Sequence, residues 1–131
     1  NIIMDLLYSY IEGFDNYEIV NININIIFKY IFKTSHELAK GLMFQRNLPK
    51  DEGALFIMKE KKIQKFWMKN TFIPLDMIFL DINKKIIGFR ENAIPHDLTS
   101  YSIDKPSKYV IEVNAGFVDR HNLQIGDNII F

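Results

Sequence analysis

The stretch FWMKNTFIPLDMIFLDINKKIIGFRE, residues 66–91, decides how the chain folds. Met77 to Asp81 and Ile86 to Glu91 are short apolar-rich runs with Asn83-Lys84-Lys85 between them. Two such runs joined by a polar turn read as a β-hairpin. Pro74 interrupts the run before them, because proline cannot donate a ladder hydrogen bond. Phe66 to Lys69 reads as a further strand. Phe66 and Met68 then point one way, and Trp67 and Lys69 the other. Phe66, Met68, Leu75, Ile78, Leu80 and Val113 are the expected core positions.

Working towards the N-terminus, Ala54 to Met58 is a strand, and the charged stretch 59–65 leads back into 66–69. The two arms, 54–58 and 65–69, are expected to pair as a hairpin. Its tip carries Lys59, Lys61, Lys62 and Lys65 around a single acid, Glu60, and reads as a solvated turn. Residues 50–53, Lys-Asp-Glu-Gly, form another turn. Thr34-Ser35-His36-Glu37 fits a capping box, with Leu38 and Leu42 on one face and Gly41 near the end of a short helix. Ile22, Ile24, Ile26 and Phe28 alternate with Asn21, Asn23 and Asn25, the period of a half-buried strand. The apolar run continues to Phe32, so a bend, bulge or Asn turn is expected to divide it. Residues 1–16 read as an N-terminal extension, a short amphipathic helix with Ile3, Leu6, Leu7, Tyr10 and Ile11 at helical spacing.

Towards the C-terminus, residues 92–107 read as a long loop. Tyr109 to Val113 is a strand. Asn114 is the expected N-cap of a short helix, Ala115 to Asn122. Gly126-Asp127 turns the chain into a last strand, Asn128 to Phe131. The expectation is a mainly all-β fold over a single domain, 17–131: a β sandwich or partly closed barrel with two short helices.

The 131 residues are 48% hydrophobic and 14% aromatic, enough for one core. Sixteen basic and sixteen acidic residues balance, which argues against a broad footprint for nucleic acid. No apolar window is long enough for a transmembrane helix. The absence of cysteine excludes disulfides and thiolate chemistry. No glycine-rich phosphate loop and no metal-ligand spacing occur, so neither a cofactor nor a metal is expected. The first residue is Asn1, so a preceding segment, such as a removed signal peptide, is expected. Residues 1–14 themselves lack a basic n-region and a continuous apolar h-region.

Four blocks carry a family resemblance: GLMFQRNLP at 41–49, FWMKNTFIPLD at 66–76, ENAIPHDLTSY at 91–101 and VIEVNAGFVDRHNLQIGD at 110–127. In order and spacing the chain from about residue 28 to 131 resembles the domain-of-unknown-function 192 family. Ala54 stands where that family commonly has Met, and Asn83-Lys84-Lys85 replaces a turn that usually contains Gly. The resemblance implies a jelly-roll-like β sandwich or barrel of bacterial or archaeal type, with no accepted biochemical activity. It also implies a periplasmic or exported location, because the family often follows a signal peptide or lipoprotein leader.

Candidate site residues follow from side-chain chemistry. Trp67 presents an aromatic face beside Lys69, and Asn70 ends the same strand. A ligand carboxylate or hydroxyl could meet Lys69 and Asn70 while its apolar part lies on Trp67. Arg46 has a planar fork suited to a carboxylate, with Asp76, Glu112 or a ligand as partner. Glu112 lies opposite in parity to Ile111 and Val113, so it faces either solvent or the inside of a site, solvent being the default. Asp76 suits a turn cap that accepts backbone N–H groups. His121 near a helix C-terminus is explained by the macrodipole. His96-Asp97 sits in the long loop as a weak base candidate.

These residues support a non-catalytic ligand-binding or accessory module, with Arg46, Trp67, Lys69, Asn70 and Glu112 around a small polar or anionic ligand. A hydrolase-like enzyme with Glu112, Asp76 or His96 as base is the alternative. A protein-interaction domain that docks through residues 1–16 is a third.

Overall fold

The divided Asn-Ile strand opens the part of the chain that the computed structural model describes, residues 22–131. The expected helix within residues 1–16 lies outside it. β1 spans Asn23–Asn25 and β2 spans Ile27–Phe32, with the break at buried Ile26. There follow α1 (Ser35–Lys40), β3 (Glu52–Lys62), β4 (Leu75–Leu80), β5 (Ile86–Ala93), β6 (Ser107–Asn114), α2 (Phe117–Arg120) and β7 (Asn128–Ile130).

The fold is mainly β, with two short helices among the described residues. Five strands form one sheet in the order β2-β3-β6-β4-β5, and β1 pairs in parallel with β7. Edge strands β2 and β5 do not pair, so the five-stranded sheet is not closed into a barrel. The large sheet is instead covered on both faces. On one, Leu55, Ile78, Ile111 and Val113 pack with Ile26 from the β1–β2 break, Ile129 of the small sheet and Phe117 of α2. On the other, Phe56, Met77, Phe79 and Val110 pack with Leu42, Met68 and Tyr101 from connecting segments. β4 is therefore buried along its whole length. Full burial of such a side chain contributes about 1.5–3 kcal/mol. Met68, Leu75, Ile78, Leu80 and Val113 are buried as expected, and Phe66 is half-buried against the same core.

Several local readings hold. Thr34 Oγ1 accepts the Glu37 N–H at 3.2 Å, and Glu37 Oε1 accepts the Thr34 N–H at 2.9 Å, a complete capping box. α1 ends at Gly41 with φ +48°. β4 and β5 form the expected antiparallel hairpin, with the Asp81 carboxylate accepting from Asn83 and Lys85 in its turn.

Two readings are corrected. Segment 65–69 does not pair with 54–58. β3 is occupied on one side by β2 in parallel and on the other by β6, so it has no free edge there. Phe66 instead exchanges backbone hydrogen bonds with Tyr101, and the Met68 N–H donates to Asp97 O at 2.8 Å. Residues 66–69 thus join the long 94–106 loop. The basic stretch at 59–62 is the exposed end of β3, with Lys62 3.6 Å from Glu60.

Nor is Asn114 a helix cap. It is the last residue of β6, and its Nδ2 donates to Leu48 O at 2.7 Å. The N-cap position of α2 is Gly116, at φ +94° and with no side chain to cap. The cap comes from another strand. Asp76 Oδ2 accepts the N–H groups of Gly116 at 3.0 Å and Val118 at 3.1 Å, while Oδ1 accepts that of Asn92 at 2.9 Å. Asp76 is fully buried, so its charge is stabilised by these three donors rather than by water.

Removing the Asp76 carboxylate would strand three N–H groups. Asp76→Ala is expected to cost roughly 3 kcal/mol or more in urea denaturation, against about 1 kcal/mol for Thr34→Ala at the exposed cap of α1. Equal losses would show that the α2 cap adds nothing beyond a local turn.

Candidate functional site

β6 places Glu112 on the face shared with Val110. Its register partners there are Ala54 of β3 and Met77 of β4, neither of which offers a hydrogen bond to a carboxyl group. Glu112 is only 5% exposed, which corrects the solvated default: the face that alternation assigned to it is roofed by α1 and the 65–72 segment. No described residue hydrogen-bonds its carboxyl group, and burial pushes its pKa up to about 8.

Glu112 opens onto a cavity of about 170 Å³. Lys40 and Leu42 bound one side, Phe56 and Met58 of β3 another, and Lys65, Phe66 and Trp67 the third. Trp67 stands at the mouth, 48% exposed, with Lys69 Nζ 5.1 Å from its ring centre. Gly41 fixes the α1 wall. A Cβ there would lie 2.9 Å from Phe56 Cζ, so the helix end reaches this close to β3 only without a side chain.

A second group lies on the adjoining loops. Arg46 Cζ sits 5.5 Å from the Phe72 ring centre, and the rings of Phe44 and His96 lie 6.4 Å and 5.4 Å from Phe72. The Phe44 N–H donates to Asn70 O at 2.9 Å, and the His96 N–H to Met68 O at 3.0 Å. Phe44, Asn70 and His96 all have positive φ, near +65°, +52° and +66°. That conformation strains a bulky residue such as Phe44, and such strain concentrates where loops are held for a purpose.

The five candidate residues therefore divide. Trp67 and Glu112 line the cavity, and Lys69 stacks on Trp67. Arg46 and Asn70 belong to the neighbouring loop cluster and are not part of the cavity wall. Arg46 makes no ion pair with a described residue, so neither Asp76 nor Glu112 is its partner. Asp76 and Glu112 lie on opposite faces of the sheet, since Met77 faces Glu112 and Asp76 is its neighbour along β4. Asp97 does not orient His96. Its carboxylate accepts from the Tyr101 hydroxyl at 2.6 Å and from Thr99, and the Tyr101 bond holds its pKa below the ordinary carboxylate range. His121 lies at the C-cap of α2, 3.4 Å from Asp51.

Sequence reasoning missed Lys40, Lys65 and Phe56 as wall residues. Phe56 shares Glu112's face only because Ala54 pairs with Glu112, a register that no local pattern announces.

The raised pKa of Glu112 links stability to pH. The native state holds its proton up to about pH 8, whereas the unfolded group loses it near its ordinary value of 4.5. Stability is then undiminished below pH 4.5, falls as pH rises through 4.5 to 8, and levels off above, by several kcal/mol in all. Glu112→Gln removes that fall. It is expected to match the parent near pH 4 and to exceed it in urea midpoint at pH 9. A midpoint no higher than the parent's at pH 9 would mean that the carboxyl group finds a partner.

Comparison with known proteins bears on the family alone. No curated protein matches the chain. A crystal structure of a protein of unknown function from Novosphingobium aromaticivorans DSM 12444 is similar, at 37% identity and TM-score 0.73, covering 77% of this chain and 73% of that one. A second, described as a candidate transcription regulator from Sinorhizobium meliloti 1021, matches at 37% identity and TM-score 0.73, covering 75% and 76%. The model of the family DUF192, described as an uncharacterized ACR, matches residues 19–131, and the chain belongs to that family.

Proposed function

We propose that this protein is a non-catalytic binding module that takes a small polar molecule into the cavity floored by Glu112. The observation that carries this reading is the buried Glu112 carboxyl group, which no described residue hydrogen-bonds and which faces open space. Burying an ionisable group without a hydrogen-bond partner is costly, and a group kept in that state at a cavity floor is one that a ligand can satisfy. Trp67 supplies an aromatic face at the mouth, and Lys69 holds that face in place. Apolar walls with a few polar groups are the usual composition of a ligand site.

A hydrolase-like reading has one observation in its favour. A carboxyl group with a pKa near 8 suits general acid or base work at neutral pH. It lacks a second group, because Asp76 lies on the other face with both oxygens occupied, and His96 packs on Phe72.

Trp67 is the sole tryptophan, so its emission reports this cavity alone. Titration with a mixed small-molecule library is expected to yield compounds that shift the emission saturably and remain chemically unchanged. Glu112→Ala should weaken them at least tenfold. Lys69→Ala should weaken them while leaving the melting temperature nearly unaltered, because that side chain is exposed. Hits that bind equally well to Glu112→Ala would remove the site from the cavity, and turnover of a bound compound would favour the enzyme reading.

A further inference from the structure

The charged groups of the cavity are arranged by depth. Glu112 lies at the floor between Ala54 and Met77, whereas Lys40 and Lys65 line the same cavity with their side chains exposed towards solvent. Neither lysine forms an ion pair with Glu112, so the acidic floor and the basic mouth remain apart. Three aromatic residues, Phe56, Phe66 and Trp67, line the space, the first two packed edge to face with centroids 5.2 Å apart. Aromatic faces attract cations, and a desolvated carboxylate among them completes a seat for an ammonium group. A simple amine entering this seat would meet Lys40 and Lys65 unfavourably. A simple acid would pair with those lysines but meet Glu112 at the floor. A molecule carrying both charges matches floor and mouth together. The volume fits, since a cavity of ~150 Å³ accepts a benzene-sized guest, and this one is about 170 Å³.

We infer that the cavity takes a small zwitterion of the α-amino-acid class, its ammonium group against Glu112 among Phe56, Phe66 and Trp67, its carboxylate towards Lys40 and Lys65. This rests on the cavity being a ligand site. The empty site holds a proton on Glu112 at neutral pH, because burial has raised its pKa to about 8. Seating an ammonium group requires the carboxylate, so binding releases that proton to solvent. Affinity therefore rises about tenfold per pH unit below pH 8 and levels off above it. A neutral hydrogen-bond acceptor held by the protonated acid would show the reverse slope.

The test is titration of Trp67 emission with L-leucine, L-serine and L-phenylalanine between pH 6 and pH 9. Isoamylamine and 4-methylpentanoate serve as the two halves of leucine, and methyl glucoside as a neutral probe. At least one amino acid is expected to bind saturably with the rising pH profile, and for leucine each half-molecule at least tenfold more weakly. Glu112→Gln should lose the pH dependence and at least tenfold in affinity while keeping its fold. No response to any of the three amino acids, a half-molecule that binds as tightly as leucine, or affinity that falls with rising pH overturns the zwitterion. Methyl glucoside or a library compound that still shifts Trp67 emission would in that case leave the cavity as a ligand site. Silence from every probe and every library compound would end both.

Discussion

The structure depends on one buried carboxylate. Asp76 sits on the central strand β4 and gathers N–H groups from Asn92 at the end of β5 and from Gly116 and Val118 at the start of α2. These donors are 16, 40 and 42 residues away in sequence. A single side chain thereby fixes where β5 ends and where α2 starts. Without it, α2 would begin on a glycine in left-handed conformation with no cap of its own. Asp127 does similar work at the other end, accepting from Ile22 and Gln124 and so tying the entry to β1 to the turn before β7. Both are buried acids whose charge is met by backbone dipoles, which explains why such groups persist in an apolar interior.

Glu112 marks the contrast. It lies beside Val113, the register partner of Asp76, yet points to the opposite face. Asp76 meets a helix start and a strand end that supply donors. Glu112 faces a cavity in which no described residue donates to its carboxyl group. Two carboxyl groups on adjacent strands thus have opposite surroundings: one is held by three backbone donors, the other is hydrogen-bonded by no described residue.

The cavity exists because of how the sheet is roofed on that face. α1 is short, stops at Gly41 against Phe56, and leaves the rest of the cover to irregular segments. Those segments are held by backbone hydrogen bonds between 66–68 and 96–101, and by Phe44 donating to Asn70. Irregular cover packs less completely than a helix or a second sheet, and space remains above Glu112. On the other face the β1–β2 break, the small sheet and α2 close it with Ile26, Ile129, Phe117 and Val118.

The amino-acid order by itself determined the local elements. The alternation at 22–28, the capping box at 34–37, the hairpin through 83–85 and the core positions from Met68 to Val113 were legible, because each rests on neighbours within a few residues and on a period of two or four. Trp67 and Glu112 stood out chemically in apolar runs as candidates, although alternation alone left Glu112 facing solvent by default. Tertiary structure decided the pairing. β3 took β2 and β6 as partners and left 66–69 to a loop, a choice between equally apolar edges that local pattern cannot weigh. It likewise decided that Asp76 would cap a helix 40 residues on, and that Glu112 would be buried with no partner among the described residues while Arg46 and Asn70 stood apart from it. Those outcomes depend on which strand faces are covered and by what. Burial and missing partners are properties of the assembled neighbourhood and belong to no residue alone.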